Sequence, residues 1–457
     1  MDKTTAHLVE YAAAASFGRL PALAVLDCKR RIIDSLGCAA GAWHEPACAT
    51  ARAVAARYRG TPSATVLGSN QPVSVEAAAF ANGMMLRYLD FSDAYPMKSR
   101  GHPSDVISAL IAVAEAQGAS GADLVNAVVL AYDVFCSFCE TLDINGKGFD
   151  QATYCGMAAA VGAGKLLGLD GAQMGHAISL SLAPSLAMYI TRRGGELSMW
   201  KGAAAANACR NAIFGALLAR DGFSGPDAIF EGKGGLWDMV AAKGERPEWR
   251  IRIAPDAPHR VSCTHLKPFP LAYHGLPAVS AVIDLRGKLQ LADIARVQVD
   301  TYDQAIRIMA DHPSRWSPTT RETADHSLPY VIAAAFVDGT IGESSFSEEK
   351  IADTRIRALM PLIEVKEDPA LSALHPEAAP ARVTVTTRAG ATLSTEVRYP
   401  KGHTGNPMSD AEIDAKFRQL FAAYGPAEQG ERVLQALHKL EAAPQVNAVW
   451  SLFLKQH

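Results

Sequence analysis

The sequence predicts a mainly α protein, in which a large all-helical domain carries a smaller α+β lid domain inserted before the C-terminal helices. Three observations lead there. From residue 5 to about 260, apolar residues recur at helical spacing in alanine-rich segments with few β-branched runs. Between Ala381 and Tyr399 the pattern changes to strand-like alternation around Ala389-Gly390. From Pro407 helical spacing returns and lasts to the end. At 457 residues the chain is too long for one hydrophobic core. The expected division is residues 1–265 with 401–457 for the helical domain and 266–400 for the lid, with a site in the cleft between them.

Taken in order, Leu20 to Ala40 places Leu23, Leu26, Ile32, Ile33 and Leu36 at helical spacing and stops in Gly37 to Gly41. Val75 to Leu86 and Val106 to Gln117 are further apolar helices, followed by Ala122 to Leu142, Thr153 to Leu167, Ala172 to Leu186 and Ser198 to Ala219. Several, such as MAAAVGAGKLLGL, are apolar nearly all round, which predicts central, buried helices. Past Val261, Val297 to Thr301 alternates like a strand. Thr323 to Val337 is expected to be a helix with Pro329 near its first turn, and Ser345 to Leu359 to contain another. Ile363 to Val365 is a short strand, and RVTVTT and TLSTEVRY are the arms of a hairpin. Ser409 with Glu412 three residues on is a capping box for the helix that follows.

Composition excludes several classes. The chain is 49% hydrophobic and 20% charged with net charge −3, and no basic stripe alternates with aromatics, so nucleic acid is not an expected partner. The N-terminus has acids and no long apolar stretch, and the longest apolar runs fall short of a membrane span, so a cytoplasmic protein with no membrane partner is expected. Of eight cysteines, Cys136 and Cys139 form a C-x-x-C, but inside a helical run and with no second pair at zinc spacing. No metal is expected.

Five polar clusters stand out. YLDFSDAYPMKSRGHPSD packs Asp90, Asp93, Lys98, Arg100, His102 and Asp105 onto a loop between two apolar helices. Such a loop holds proton-transfer groups on a rigid frame, although Ser104 or Asp105 as a helix cap explains part of it. TRRGGELSMWKG brings Arg192, Arg193 and Lys201 to a helix start, a setting that suits an anion. GAAAANA after Lys201 predicts that this lysine is buried. HLKPFPLAYHG holds Lys267 and His274 at the domain junction, where a stiff linker is the plain alternative. SPTTRETADHSLPY offers Arg321, Asp325, His326 and Tyr330 around a helix start. GKGFDQATYCG sets Asp150 and Gln151 just before a buried helix, with Thr153 as a capping candidate. No nucleophile elbow, phosphate loop, dinucleotide fingerprint or zinc-protease motif is present. What remains is cofactor-free proton chemistry on an anionic small substrate.

These segments, in this order, resemble the MmgE/PrpD family, which includes 2-methylcitrate dehydratases, cis-aconitate decarboxylases and iminodisuccinate epimerases. The landmarks are YLDFSD with GHPSD, RRGGELSMWKG, LKPFP, TRETADHSLPY with FVDG, and YPKGHTGNPMSD leading to AKF. The resemblance implies a helical domain with an α+β lid, a homodimer, and no cofactor. It carries functional positions to Asp93, His102, Lys201, Lys267 and Tyr330. In the mechanism this implies, Lys201 and Lys267 bind substrate carboxylates together with Arg192 or Arg193, and Asp150, Gln151 and His274 complete the binding set. His102 is the general acid/base, Asp93 orients it or is itself the base, and Tyr330 is a second donor. In decarboxylase-like members a histidine follows the Phe of the loop before the buried helix. Here that place is Asp150. The expected activity is a lyase on a small di- or tricarboxylate, dehydratase ahead of decarboxylase. An epimerase of a dicarboxylate comes second and a non-catalytic binding protein last.

Overall fold

The computed structural model describes residues 1–242, 247, 249–251, 253 and 257–455. The first half is carried by α1 (Lys3–Ala14), α2 (Ala22–Gly41), α3 (Pro46–Ala55), α4 (Val75–Tyr88), α5 (Ile107–Gln117), α6 (Gly121–Thr141), α7 (Ala152–Leu166), α8 (Gly171–Leu182) and α9 (Trp200–Arg220). Polar caps start them where the sequence changes from loop to apolar spacing. Ser74 accepts from the Ala77 N–H, and Ser120 with Asp123 and Asp170 with Gln173 form capping boxes.

Small residues decide how closely these helices cross. α7 is buried along nearly its whole length because it lies among α6, α8 and α9. A Cβ on Gly162 would meet Leu110 at 2.7 Å, and one on Gly83 of α4 would meet Ala206 and Ser108 at 2.8 Å. Larger side chains at these crossings would force the helices apart. α6 is long and apolar enough by composition to cross a membrane, against the expectation that no run would be. It is 89% buried inside the protein, as a core helix is.

The helical expectation for residues 5 to 260 is corrected in three places. Ser63–Thr65 pairs with Pro72–Ser74, and Tyr95–Pro96 with Arg100–Gly101, as short antiparallel ladders. α8 ends at Leu182, two residues before Pro184, rather than at Leu186. From Gly222 to Gly235 no regular helix forms.

A four-stranded sheet follows. Its order is Ile363–Glu367, Ile294–Thr301, Ala381–Thr387, Thr392–Val397, with the first pair parallel and the others antiparallel. The expected hairpin is its last pair, with Gly390 at φ +85° in the turn. The expected helix over 323–337 is broken. A short turn, Arg321–Ala324, ends at Asp325, and a second helix, Leu328–Asp338, begins after Ser327 accepts from the Tyr330 N–H, with Pro329 in its first turn. Likewise 345–359 divides into Glu348–Ile351 and Thr354–Leu359, because Ser347 and Asp353 each cap a new start.

Buried apolar residues form two clusters. One draws on residues 8–266 and 408–453, the other on Ala94 and 271–385. The C-terminal helix Asp410–Phe421, opened by the Ser409–Glu412 capping box, packs on α2, where Phe417 and Leu420 meet Gly37 and Gly41. Its buried Lys416 donates to Asp34 at 2.6 Å and to the carbonyls of Phe91 and Lys267 at 2.6 and 2.9 Å.

Candidate active site

α4 ends at Tyr88, and the chain turns back through Asp90, whose φ of +51° is the one left-handed value among described non-glycine residues. That turn points the Asp90 carboxylate into a knot of cations. Oδ1 accepts from Arg87 Nη1 at 2.5 Å and from Lys267 Nζ at 2.7 Å. Oδ2 lies 3.5 Å from both Lys201 Nζ and His326 Nδ1. Burial would raise the Asp90 carboxyl, but Arg87, Lys267, Lys201 and His326 together hold it well below the usual carboxylate range.

The two lysines sit far apart in sequence and meet on this one side chain. Lys267 also donates to the carbonyls of Asp90 and Leu271, at 2.6 and 3.2 Å. Its burial pushes it down to about 8 against the pull of Asp90. Lys201 donates to both oxygens of Asp325, at 2.7 and 2.9 Å. Asp325 and His326 occupy the break between the two helices after Arg321, so the failure of that helix is what delivers them. Asp90, Asp325 and His326 stand close enough to hold a metal ion, but a cation, the Lys201 ammonium, already lies among them.

Beside the knot a cavity opens where the two apolar clusters meet. Five arginines line it (Arg87, Arg100, Arg192, Arg193, Arg307) against two carboxylates, Asp90 and Asp150, an excess that favours an anionic occupant. His102, Gln151, His274 and His326 also line it. Arg100 is presented by the short Tyr95–Gly101 ladder, its backbone N–H bonded to Asn145 at 3.2 Å and its guanidinium to the Tyr189 hydroxyl at 3.1 Å. Arg193 lies over the Tyr189 ring at 5.6 Å. Arg192 instead pairs with buried Asp150 at 2.8 Å; burial opposes its charge, and Asp150 overrides that.

His102 is held at both its ring and its backbone. Its Nδ1 is 2.5 Å from the Asp93 carbonyl oxygen. A carbonyl only accepts, so Nδ1 carries the proton and Nε2 keeps its lone pair. Its backbone N–H donates to Gln151 Oε1 at 3.3 Å. Burial, then Arg87 and Lys267, hold the imidazole well below its ordinary range, so it is neutral at pH 7. Behind it Asp105, bonded by Gln151 at 2.9 Å, is pushed up to about 6, chiefly by burial.

Of the ten residues expected at the site, His102, Asp150, Gln151, Arg192, Arg193 and His274 line one cavity. The other four are not among its lining residues. Lys201 and Lys267 come together as expected but do not line the cavity, because aspartates and carbonyls already hold their ammonium groups. The Asp93 carboxylate turns into the helical body, accepting from the Ser104 N–H at 3.1 Å and the Tyr132 hydroxyl at 2.8 Å; it orients His102 through its carbonyl. Tyr330 donates to the Ser345 carbonyl at 2.6 Å inside the second apolar cluster, away from the cavity. The polar clusters included Asp90, Arg100 and His326, but gave them no role of their own. Arg87 was passed over, and a lone arginine in the apolar stretch of α4 was the available signal for it.

A family model for the MmgE/PrpD N-terminal domain matches residues 6–249, and one for the MmgE/PrpD C-terminal domain matches residues 269–442. The chain is 28% identical over 444 residues to the 2-methylcitrate dehydratase of Cupriavidus necator, covering 90% of each chain. To the 2-methylcitrate dehydratase of Salmonella typhimurium it is 27% identical over 431 residues, 88% of this chain and 87% of the relative. To an alkylcitrate dehydratase of a fungal species it is 27% identical over 423 residues, 85% of this chain and 81% of the relative. With both family models matched over most of its length, this chain belongs to the MmgE/PrpD family.

Proposed function

We propose that this protein is a cofactor-independent carbon–oxygen lyase that removes water from a tricarboxylate of the 2-alkylcitrate type. The observation that supports it is a neutral imidazole, His102, facing an arginine-rich cavity. The names of its relatives point the same way. Arg100 and Arg193, which have no ion pair among the described residues, grip substrate carboxylates. Arg192, fixed by Asp150, and His274 complete the wall. His102 Nε2 takes the proton next to a carboxylate. The C–H electron pair becomes the new π bond through an enolate-like state that Arg87 stabilises, and the C–O pair departs with hydroxide. The imidazolium returns its proton to that hydroxide, so water leaves and His102 is neutral again.

Asp150 at the position of a decarboxylase histidine weighs against carbon dioxide loss. A cytoplasmic location and a homodimer belong to the same proposal. Val54, Tyr58, Trp200 and Phe214 leave an exposed apolar face on α3, the loop after it and α9 that suits a second copy.

The test is incubation of the purified protein with 2-methylcitrate, citrate and their shorter dicarboxylate analogues. The expected result is rising ultraviolet absorbance from a conjugated double bond, without carbon dioxide release. Carbon dioxide release, or solvent deuterium exchange with no unsaturated product, would replace this reading with a decarboxylase or an epimerase.

A further inference from the structure

Three residues that line the cavity carry a buried polar atom with no hydrogen-bond partner among the described residues: Arg87 Nε, Asp90 Oδ2 and the Tyr273 hydroxyl. The first two still have opposite charges nearby, Asp105 at 3.7 Å from Arg87 and Lys201 at 3.5 Å from Asp90. Tyr273 has no such compensation. An unbonded buried hydroxyl costs about 1–3 kcal/mol, so in a residue that lines a cavity it calls for a partner that the cavity's occupant supplies.

The ring is held firmly in place. It stacks on His265 at 5.2 Å with an interplanar angle of 14° and meets His274 edge-on at 5.6 Å. The backbone on its N-terminal side is tied to the ionic knot: Lys267 donates to the Leu271 carbonyl, and the Ala272 N–H donates to the Asp325 carbonyl at 2.9 Å. Tyr273 is therefore fixed to the same frame that surrounds His102. Burial raises its phenol above the ordinary range, so it remains an O–H donor at working pH.

Its chemistry complements that of the wall. Carboxylates seek the arginines, where the bond is charge-assisted. With the arginines there to take the carboxylates, the neutral Tyr273 O–H is left for the substrate's remaining polar group, its hydroxyl. We propose that the Tyr273 hydroxyl is a substrate-contacting residue that donates a hydrogen bond to the substrate hydroxyl, the group that leaves as water. No proton moves to or from it; it holds the C–O bond in place while His102 acts. The assignment rests on the hydroxy-tricarboxylate reading above.

Calorimetric titration of the full-length protein with citrate and with propane-1,2,3-tricarboxylate, which differs by that one hydroxyl, separates the two ideas. Wild type is expected to prefer citrate, and Tyr273→Phe, which keeps the ring on His265, to lose about tenfold of that preference with a melting temperature no lower than that of wild type. A preference that survives in Tyr273→Phe, or equal binding of both acids by wild type, overturns the Tyr273 assignment and leaves the carboxylate site standing. Binding of neither acid overturns both. A second readout needs no variant: with tyrosines labelled at Cζ, one resonance moves with citrate and stays with the deoxy acid. If none does, the proposal fails.

Discussion

Two charged regions lie side by side in this molecule and are built on opposite principles. In the knot around Asp90, every cation is buried and matched: Arg87, Lys267 and Lys201 converge on Asp90 and Asp325 at hydrogen-bond or near-contact distances. On the cavity wall, Arg100 and Arg193 are partly or fully exposed, and among the described residues their guanidinium groups have a tyrosine, Tyr189, as hydrogen-bond or ring partner and no ion pair. Buried, matched charges cannot rearrange cheaply, so the knot serves as scaffold. Unmatched charges facing a cavity lose little when an anion arrives, so the wall is suited to be the receptor proposed above. His102 stands at the boundary, with Nδ1 fixed by the frame and the residue lining the cavity.

The strongest blow to this contrast is aimed at the boundary. His102→Ala should lower kcat by about 10²–10⁴-fold, as expected for a lost general base. A smaller loss would place the base elsewhere. The pH behaviour sharpens the point. Burial and the neighbouring cations lower the imidazole, so more than half of it is unprotonated at pH 6.5, where an ordinary histidine is half protonated. An NMR titration of the His102 ring in the free protein should show its midpoint clearly below 6.5; a midpoint at or above that value would contradict the assignment.

Next comes the scaffold. Asp90→Asn leaves Lys267 and Arg87 buried against a neutral amide, and urea unfolding at pH 7 should show a loss of about 3–5 kcal/mol. The sign with pH follows from the depressed carboxyl. Asp90's contribution is fully present above its unfolded value of 3.8 and is lost only as pH falls through the lower folded one. The gap between wild type and variant should therefore persist from pH 7 down to about 4 and close in stronger acid. A gap that closes already between pH 6 and 5 would mean that Asp90 does not hold the charge.

Much of this was legible in the sequence, and what was not has a physical reason. Periodicity located the buried helices, the hairpin at 381–399 and the Ser409 capping box, because those signals repeat over many residues or sit at fixed offsets. Lys201 was expected to be buried because an alanine run follows it. Asp90 and Asp93 were harder to tell apart. They lie three residues apart on a loop, and which one faces the cations depends on the left-handed turn at Asp90, a backbone choice no pattern announces. Tyr330 was expected near the chemistry from the family resemblance and from its place in the polar cluster around a helix start. The Ser327 cap restarts that helix and turns Tyr330 into the second apolar cluster, while the break presents Asp325 and His326 instead. Arg100 rides on a two-residue strand, too short for alternation to show.

The receptor wall gives the gentlest test, and the one that most directly separates the two regions. Arg100→Gln removes a charge whose side chain is bonded, among the described residues, only to the Tyr189 hydroxyl, so the melting temperature should stay close to that of wild type. If Arg100 grips a substrate carboxylate in both ground and transition states, KM should rise about 10–100-fold with kcat little changed, since a hydrogen bond to a charged group contributes about 1.5–3 kcal/mol. Arg87→Gln makes the informative partner. That guanidinium serves Asp90 as well as lining the cavity, so its loss should lower stability and kcat together. Should Arg100→Gln destabilise the protein as Arg87→Gln does, wall and knot would be one structural network, and the division between scaffold and receptor would be lost.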